Sequence, residues 1–256
     1  MSQATSDAAA PALRLQGVGR RFGALQAVRD VDLEVPHGER RAILGPNGAG
    51  KTTLFNVVAG DYLPTSGRVI LFGEDVTRLP ANLRTRRGLG RTYQNSLLFA
   101  GLSVVDNLYL AVRGVRPRRL SALRPRADDP HRARAAALAE QIGLASVAAT
   151  PVRKLAHGQL RQLELGMALA GDPRLLLLDE PAAGLSPGER QALIRLLAGL
   201  PRSITVMLIE HDMDVALAAA DRVTVMHNGR VIAEGTPAEI EANQMVHDIY
   251  LGHHVA

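Results

Sequence analysis

The chain has 256 residues, 46% hydrophobic and 21% charged, with a formal net charge of +5, a size and apolar content that suit one large α/β domain with room for a subdomain. It has no cysteine, which excludes disulfides, thiol catalysis and cysteine-ligated zinc. The positive charge is nearly all arginine, Lys51 and Lys154 being the only lysines, so it reads as compositional bias ahead of a selected basic surface, and no apolar run approaches the roughly 18 residues that span a bilayer.

In chain order, residues 1–12 are expected to form a disordered Ala/Ser-rich tail without the features of a secretory signal. Leu13–Val18, Val31–Val35 and Arg40–Leu44 read as strands. Lys51–Ala59 is a helix that stops at Gly60. Arg68–Phe72 is a further strand, Asn82–Arg87 a short helix and Leu89–Tyr93 extended. Ser103 caps a helix running to about Val112, Gly114–Pro130 is irregular and Arg/Pro-rich, and Pro130–Ile142 is an Ala-rich helix. The region from about 95 to 165 is expected as a helical insertion in an α/β body that spans 13–256. A helix follows Gly158. Then come strand Leu175–Leu178, helix Pro187–Ala198, strand Ile204–Ile209, a helix near Met213–Ala220, strands Val223–Met226 and Arg230–Ala233, and helical character from Pro237. The uninterrupted apolar runs Leu175–Leu178 and Ile204–Ile209 suit a parallel sheet covered on both faces.

Two motifs carry chemistry. Gly45-Pro46-Asn47-Gly48-Ala49-Gly50-Lys51-Thr52-Thr53 follows an apolar strand and opens a helix, the context a phosphate loop requires. Its glycines let backbone N–H groups curl around phosphate oxygens, and the helix start adds partial positive charge. Lys51 is placed to reach the β- and γ-phosphates of ATP, and the Thr52 hydroxyl to ligate Mg²⁺. A match of this length arises by accident with about one chance in a hundred in a chain of this size. The second motif is Leu175–Leu178 followed by Asp179-Glu180-Pro181: a buried strand ending in two carboxylates, at the edge where open α/β sheets bind ligands. Asp179 is the candidate for holding Mg²⁺ and Glu180 for activating the attacking water.

Four further segments resemble the ATPase subunits of ABC transporters, from Leu13 to Gly252. Leu155-Ala156-His157-Gly158-Gln159 resembles that family's signature sequence, with Ala156 in place of serine and His157 in place of glycine. Arg91-Thr92-Tyr93-Gln94-Asn95 is similar to its Q-loop, Ile209-Glu210-His211-Asp212 to its switch-histidine segment, and Ala183-Gly184-Leu185-Ser186 to its D-loop, with Ser186 where aspartate is common. The resemblance implies an ABC ATPase fold: a P-loop NTPase core with a mainly parallel sheet, an antiparallel β subdomain and a helical insertion. It implies that Gln94 approaches Mg²⁺ and the attacking water, that His211 contacts the γ-phosphate and that Phe22 stacks on adenine. It implies two ATPase subunits, identical or different, meeting head-to-tail, each ATP held between Gly45–Thr53 of one and Ala156–Gln159 of the other. Permease subunits and, indirectly, a substrate-binding protein complete the expected partners, with the chain at the cytoplasmic face of the inner membrane and no nucleic acid involved.

Within the family, Arg91–Asn95, Leu155–Gln159, Ala182–Pro187, Glu210–Met213 and Tyr250–Gly252 resemble the branched-chain amino-acid uptake group, and the helical insertion its longer ATPase subunit. A urea or short-amide importer shares much of the pattern and fits His157. A soluble ABC ATPase of DNA repair or translation is the other alternative. A P-loop kinase or GTPase is opposed by Leu155–Gln159 and His211. His247, His253 and His254 read as a solvated tail ahead of a metal site, and Arg113–Arg134 as a solvated basic loop ahead of a lipid contact.

Overall fold

The computed structural model describes residues 10–93, 98–114 and 129–251. The elements, in order, are β1 (Leu13–Phe22), β2 (Leu25–Val35), β3 (Arg40–Leu44), α1 (Lys51–Ala59), β4 (Ser66–Leu71), β5 (Glu74–Asp75), α2 (Ala81–Thr85), β6 (Leu89–Arg91), α3 (Val104–Gly114), α4 (Pro130–Gln141), α5 (His157–Leu169), β7 (Leu175–Asp179), α6 (Pro187–Ala198), β8 (Thr205–Ile209), α7 (Met213–Ala219), β9 (Arg222–His227), β10 (Arg230–Gly235), α8 (Pro237–Glu241) and α9 (Gln244–Leu251). Short 3₁₀ turns at Ala145–Val147 and Val152–Lys154 lead into α5.

Two sheets result. An antiparallel one runs β2-β1-β4-β5, and a central one runs β10-β9-β3-β8-β7-β6. In the central sheet β9, β3, β8, β7 and β6 are parallel, and β10 returns antiparallel on β9. The alternation of side chains along a strand divides its residues between two cores. Leu175 and Leu177 of β7 join Met207 and Ile209 of β8, Phe55 of α1 and the inner face of β1 in one core. Leu176 and Leu178 join Leu208, Val225 and the apolar faces of α3, α4, α5 and α6 in the other. A strand buried on both faces has no polar alternation to show, which is why β7 and β8 read as continuous apolar runs.

The sequence reading departs from the structure chiefly in β1 and β2, which extend well past Leu13–Val18 and Val31–Val35. Their pairing register shifts between Leu15 and Val18 and again near Arg20, and Gly17 and Asp30 adopt φ of 55° and 50°. Such bulges interrupt the period of two on which a strand is recognised while the pairing continues beyond them. Within the stretch from about 95 to 165, α3 packs on α4 and α5 through Leu108, Val112, Leu138 and Leu163. Helix α5 begins one residue before Gly158, because Gln159 reaches back from the first turn to accept the Ala156 N–H at 3.0 Å. The C-terminal helical stretch is two helices, with Asn243 between them capping the second through the Val246 N–H. No helix among the described residues is long and apolar enough to cross a membrane.

Candidate nucleotide site

The β3 strand delivers its chain into the loop at Gly45, and α1 leaves it at Lys51. Gly50 adopts φ 100°, and a Cβ there would lie 2.4 Å from the Ala27 carbonyl oxygen. Glycine is therefore required both for the turn and for the close approach of β2. Across the loop, the Gly229 N–H donates to the Ala49 carbonyl at 2.9 Å, and the Arg29 N–H donates to the Gly229 carbonyl at 2.7 Å. The turn between β9 and β10 thus pins the loop against β2. The loop floors a cleft of about 350 Å³ whose lining includes Asn47 to Thr53, Glu180, Leu25, Gln26, Arg29 and Asn228.

Lys51 is almost fully buried, 6% exposed. Its Nζ donates to the Gly45 carbonyl and, at 3.1 Å, to that of Pro46. Burial lowers its pKa, while the carboxylates of Glu180, Asp179 and Glu210 act to raise it. Asp179 ends β7, itself 6% exposed. Burial raises its pKa, against the opposing pull of Arg91, whose guanidinium stands 3.5 Å from Oδ2. Oδ1 is buried and has no hydrogen-bond partner among the described residues. The next residue, Glu180, has left-handed backbone at φ 48°, and its N–H donates to the Ile209 carbonyl of β8 at 3.0 Å. That turn aims its carboxylate into the cleft and leaves it 3.7 Å from His211 Nδ1 at the end of β8. Lys51, Thr52, Asp179, Glu180 and His211 thus converge from the ends of three neighbouring parallel strands, β3, β7 and β8.

Other expected residues lie elsewhere. Gln94 falls outside the described residues. Phe22 does not line the cleft; its ring packs edge-on against Tyr62 at 5.3 Å and lies under the Arg20 guanidinium at 4.5 Å. Leu25, three residues on, is the apolar side chain that does line it. Ala156, His157, Gly158 and Gln159 also lie outside the cleft, at the start of α5, where the Gly158 N–H donates to Glu189 at 3.0 Å.

The sequence reading missed three contributors. Asn228-Gly229 carries an ordinary hairpin-turn signal, whose use against the phosphate loop only the fold reveals. Arg91 bonds Asp61 at 2.6 Å and faces Asp179, a bridge between elements far apart in sequence. Glu210, 1% exposed, accepts the Ala182 N–H at 3.0 Å, and burial pushes its carboxyl up to about 7.

A phosphate loop, a buried acidic strand end and a histidine at the adjoining strand end coincide with what comparison with known proteins returns. The family model for ABC transporters matches residues 28–183. The chain belongs to the ABC transporter ATP-binding family. A second model, for the branched-chain amino acid ATP-binding cassette transporter, matches residues 230–256 of this ABC ATPase. It is 40% identical to the high-affinity branched-chain amino acid transport ATP-binding protein BraF of Pseudomonas aeruginosa over 94% of this chain and 98% of that one. It is 39% identical to the corresponding protein LivG of Escherichia coli, with the same coverage. Among solved structures it resembles the ADP conformation of MJ1267, an ATP-binding cassette of an ABC transporter, with a TM-score of 0.83, 29% identity and coverage of 94% and 98%. The mixed sheet with helices on both faces is the α/β ABC ATPase fold, and this chain is a transporter ATPase that hydrolyses ATP.

Proposed function

We propose that this ABC ATPase powers import of branched-chain amino acids, working as half of a head-to-tail pair of ATPase subunits, identical or different. The observation that carries the pairing is the division of the expected site. Asn47–Thr53 and Glu180 line one cleft, with His211 3.7 Å from the Glu180 carboxylate, while Ala156–Gln159 present the start of α5 outside that cleft. Backbone N–H groups at a helix start suit a phosphate, and a second subunit is needed to bring that surface to the cleft. The substrate class follows the family model over 230–256 and the transport function for which the relatives are named, which favour branched-chain amino acids over urea or short amides.

In this reading the loop amides and Lys51 hold the ATP phosphates, and Leu25 supplies an apolar wall in the cleft. Oδ1 of Asp179, buried and unpartnered among the described residues, and the Thr52 hydroxyl fit Mg²⁺ held directly or through water, and the ion would neutralise phosphate charge when bound. Glu180 accepts a proton as a water oxygen attacks the γ-phosphorus. The bond to the β-phosphate oxygen breaks, ADP leaves with the electron pair, and His211 stands beside Glu180 to contact the transferred group. Loss of the γ-phosphate removes the link between subunits, a two-state switch of the kind driven by phosphate contacts. Gln94 is assigned to sense that change. A groove of about 190 Å³ lined by Ala59, Ala81, Tyr93 and Met167 is assigned to the permease, which would keep the chain peripheral at the cytoplasmic face of the inner membrane.

The test is co-purification with the native membrane partners and uptake into vesicles. ATP-dependent accumulation of leucine is expected. Uptake of urea or short amides in its place would overturn the substrate class, and no ATP-dependent uptake of any of them would overturn the import reading.

A further inference from the structure

Helix α5 starts without a side-chain cap of its own. Its N-cap residue is Ala156, which has no oxygen to offer the free N–H groups of the first turn. Glu189, in the first turn of α6, supplies one from outside. Its Oε2 accepts the Ser186 N–H at 2.9 Å and the Ser186 hydroxyl at 2.7 Å, which caps α6. Its Oε1 faces the other way and accepts the Gly158 N–H at 3.0 Å. One carboxylate therefore closes the starts of two helices.

The approach is tight. A Cβ on Gly158 would lie 2.5 Å from Glu189 Oε1, so glycine at this position is what admits the carboxylate. A second contact runs alongside: His157 Nε2 lies 3.4 Å from the Ala183 carbonyl, over Gly184, where a Cβ would come within 3.1 Å of that nitrogen. Hydrogen bonds from Ser186 and Gly158, with the electrostatic effect of His157, hold Glu189 below the usual carboxylate range.

We propose that Glu189 is a positioning residue for the two-subunit ATP site, tying the start of α5 to the Ala183–Ser186 loop through its bridge to Gly158. The proposal rests on the head-to-tail reading above. The loop is the direct continuation of Glu180, so the bridge makes the surface offered to the partner's ATP move with the chain segment that holds this subunit's own catalytic carboxylate. It takes the place of the hydroxyl that serine would contribute at Ala156.

The experiment uses the full chain with Glu180→Gln as the parent, to stop turnover. Glu189→Asp keeps an acidic group at the start of α6 and is too short to bridge to Gly158. Ala156→Ser, added to it, gives α5 a cap of its own. Nucleotide binding by the subunit at low protein concentration, and ATP-driven dimer formation by light scattering, are read for all three. Binding is expected to be unchanged throughout, which also verifies folding. The ATP concentration for half-maximal dimer should rise about fivefold to tenfold in Glu189→Asp, the worth of one lost cap, and return towards the parent value with Ala156→Ser. Dimer formation by Glu189→Asp at the parent's ATP concentration, or no recovery with Ala156→Ser, would overturn the role of Glu189. A parent that stays monomeric at saturating ATP with Mg²⁺ would instead overturn the paired-subunit reading beneath it.

Discussion

Replacing Glu210 with glutamine should make the protein more stable at alkaline pH and change little at acidic pH. Glu210 is 1% exposed and sits among the carboxylates of Glu180 and Asp212; burial, ahead of those charges, raises its pKa from 4.5 to about 7. The sign follows from linkage. A carboxyl whose folded pKa lies above its unfolded value holds its proton more tightly when folded, so its contribution is complete below pH 4.5 and is lost as pH rises to about 7. At about 1.4 kcal/mol per pH unit, that interval amounts to about 3 kcal/mol. Glutamine has no proton to lose, and its carbonyl oxygen can still accept the Ala182 N–H that Glu210 accepts at 3.0 Å. Urea unfolding of both proteins from pH 5 to pH 8 measures the effect, because titrating groups not coupled to Glu210 cancel in the difference, which leaves Glu210 and its coupling to Glu180, Asp212 and Lys51. Near pH 5 the two should agree within about 1 kcal/mol, and by pH 8 the variant should lead by about 3 kcal/mol. Parallel stability profiles would refute the claim that Glu210 is held protonated by burial.

Two other substitutions probe the scaffold and the loop. Arg84 is fully buried, and its guanidinium donates to the carbonyls of Leu79, Val57, Val58 and Thr77, the middle two in the last turn of α1. Arg84→Met leaves those oxygens without their donor and should cost about 3–5 kcal/mol by chemical denaturation; a loss below about 1 kcal/mol would contradict this role. Lys51→Ala removes the one side-chain cation of the phosphate loop and should weaken ATP binding at least about tenfold by titration calorimetry, with unfolding little affected; unchanged affinity would contradict the assignment of Gly45–Thr53.

The sequence is most informative where function and local geometry use the same residues. The Gly45–Thr53 loop needs its glycines for backbone shape and its lysine for charge, so both remain visible in one chain. The apolar runs of β7 and β8 announce burial on two faces, and Pro187 with Ser186 and Glu189 announces the start of α6. What stays hidden is built from distant segments or broken periods. The bulges at Gly17 and Asp30 conceal how far β1 and β2 extend. The placement of Phe22 beside Tyr62, away from the cleft, depends on how β1 packs against the turn after α1. The bridge from Glu189 to Gly158 joins residues 31 positions apart, and nothing in either local sequence signals it. The carboxyl chemistry of Glu210 is likewise set by what covers it.

The most direct test of the central claim, that ATP is held between two subunits and cleaved with Glu180 as the base, is the oligomeric state of Glu180→Gln with Mg²⁺ and saturating ATP, by light scattering alongside a turnover assay. The account predicts intact ATP binding, no hydrolysis and a stable dimer that falls apart when ATP is removed. A variant that binds ATP and remains a monomer, or one that hydrolyses ATP at the parent rate, would contradict it.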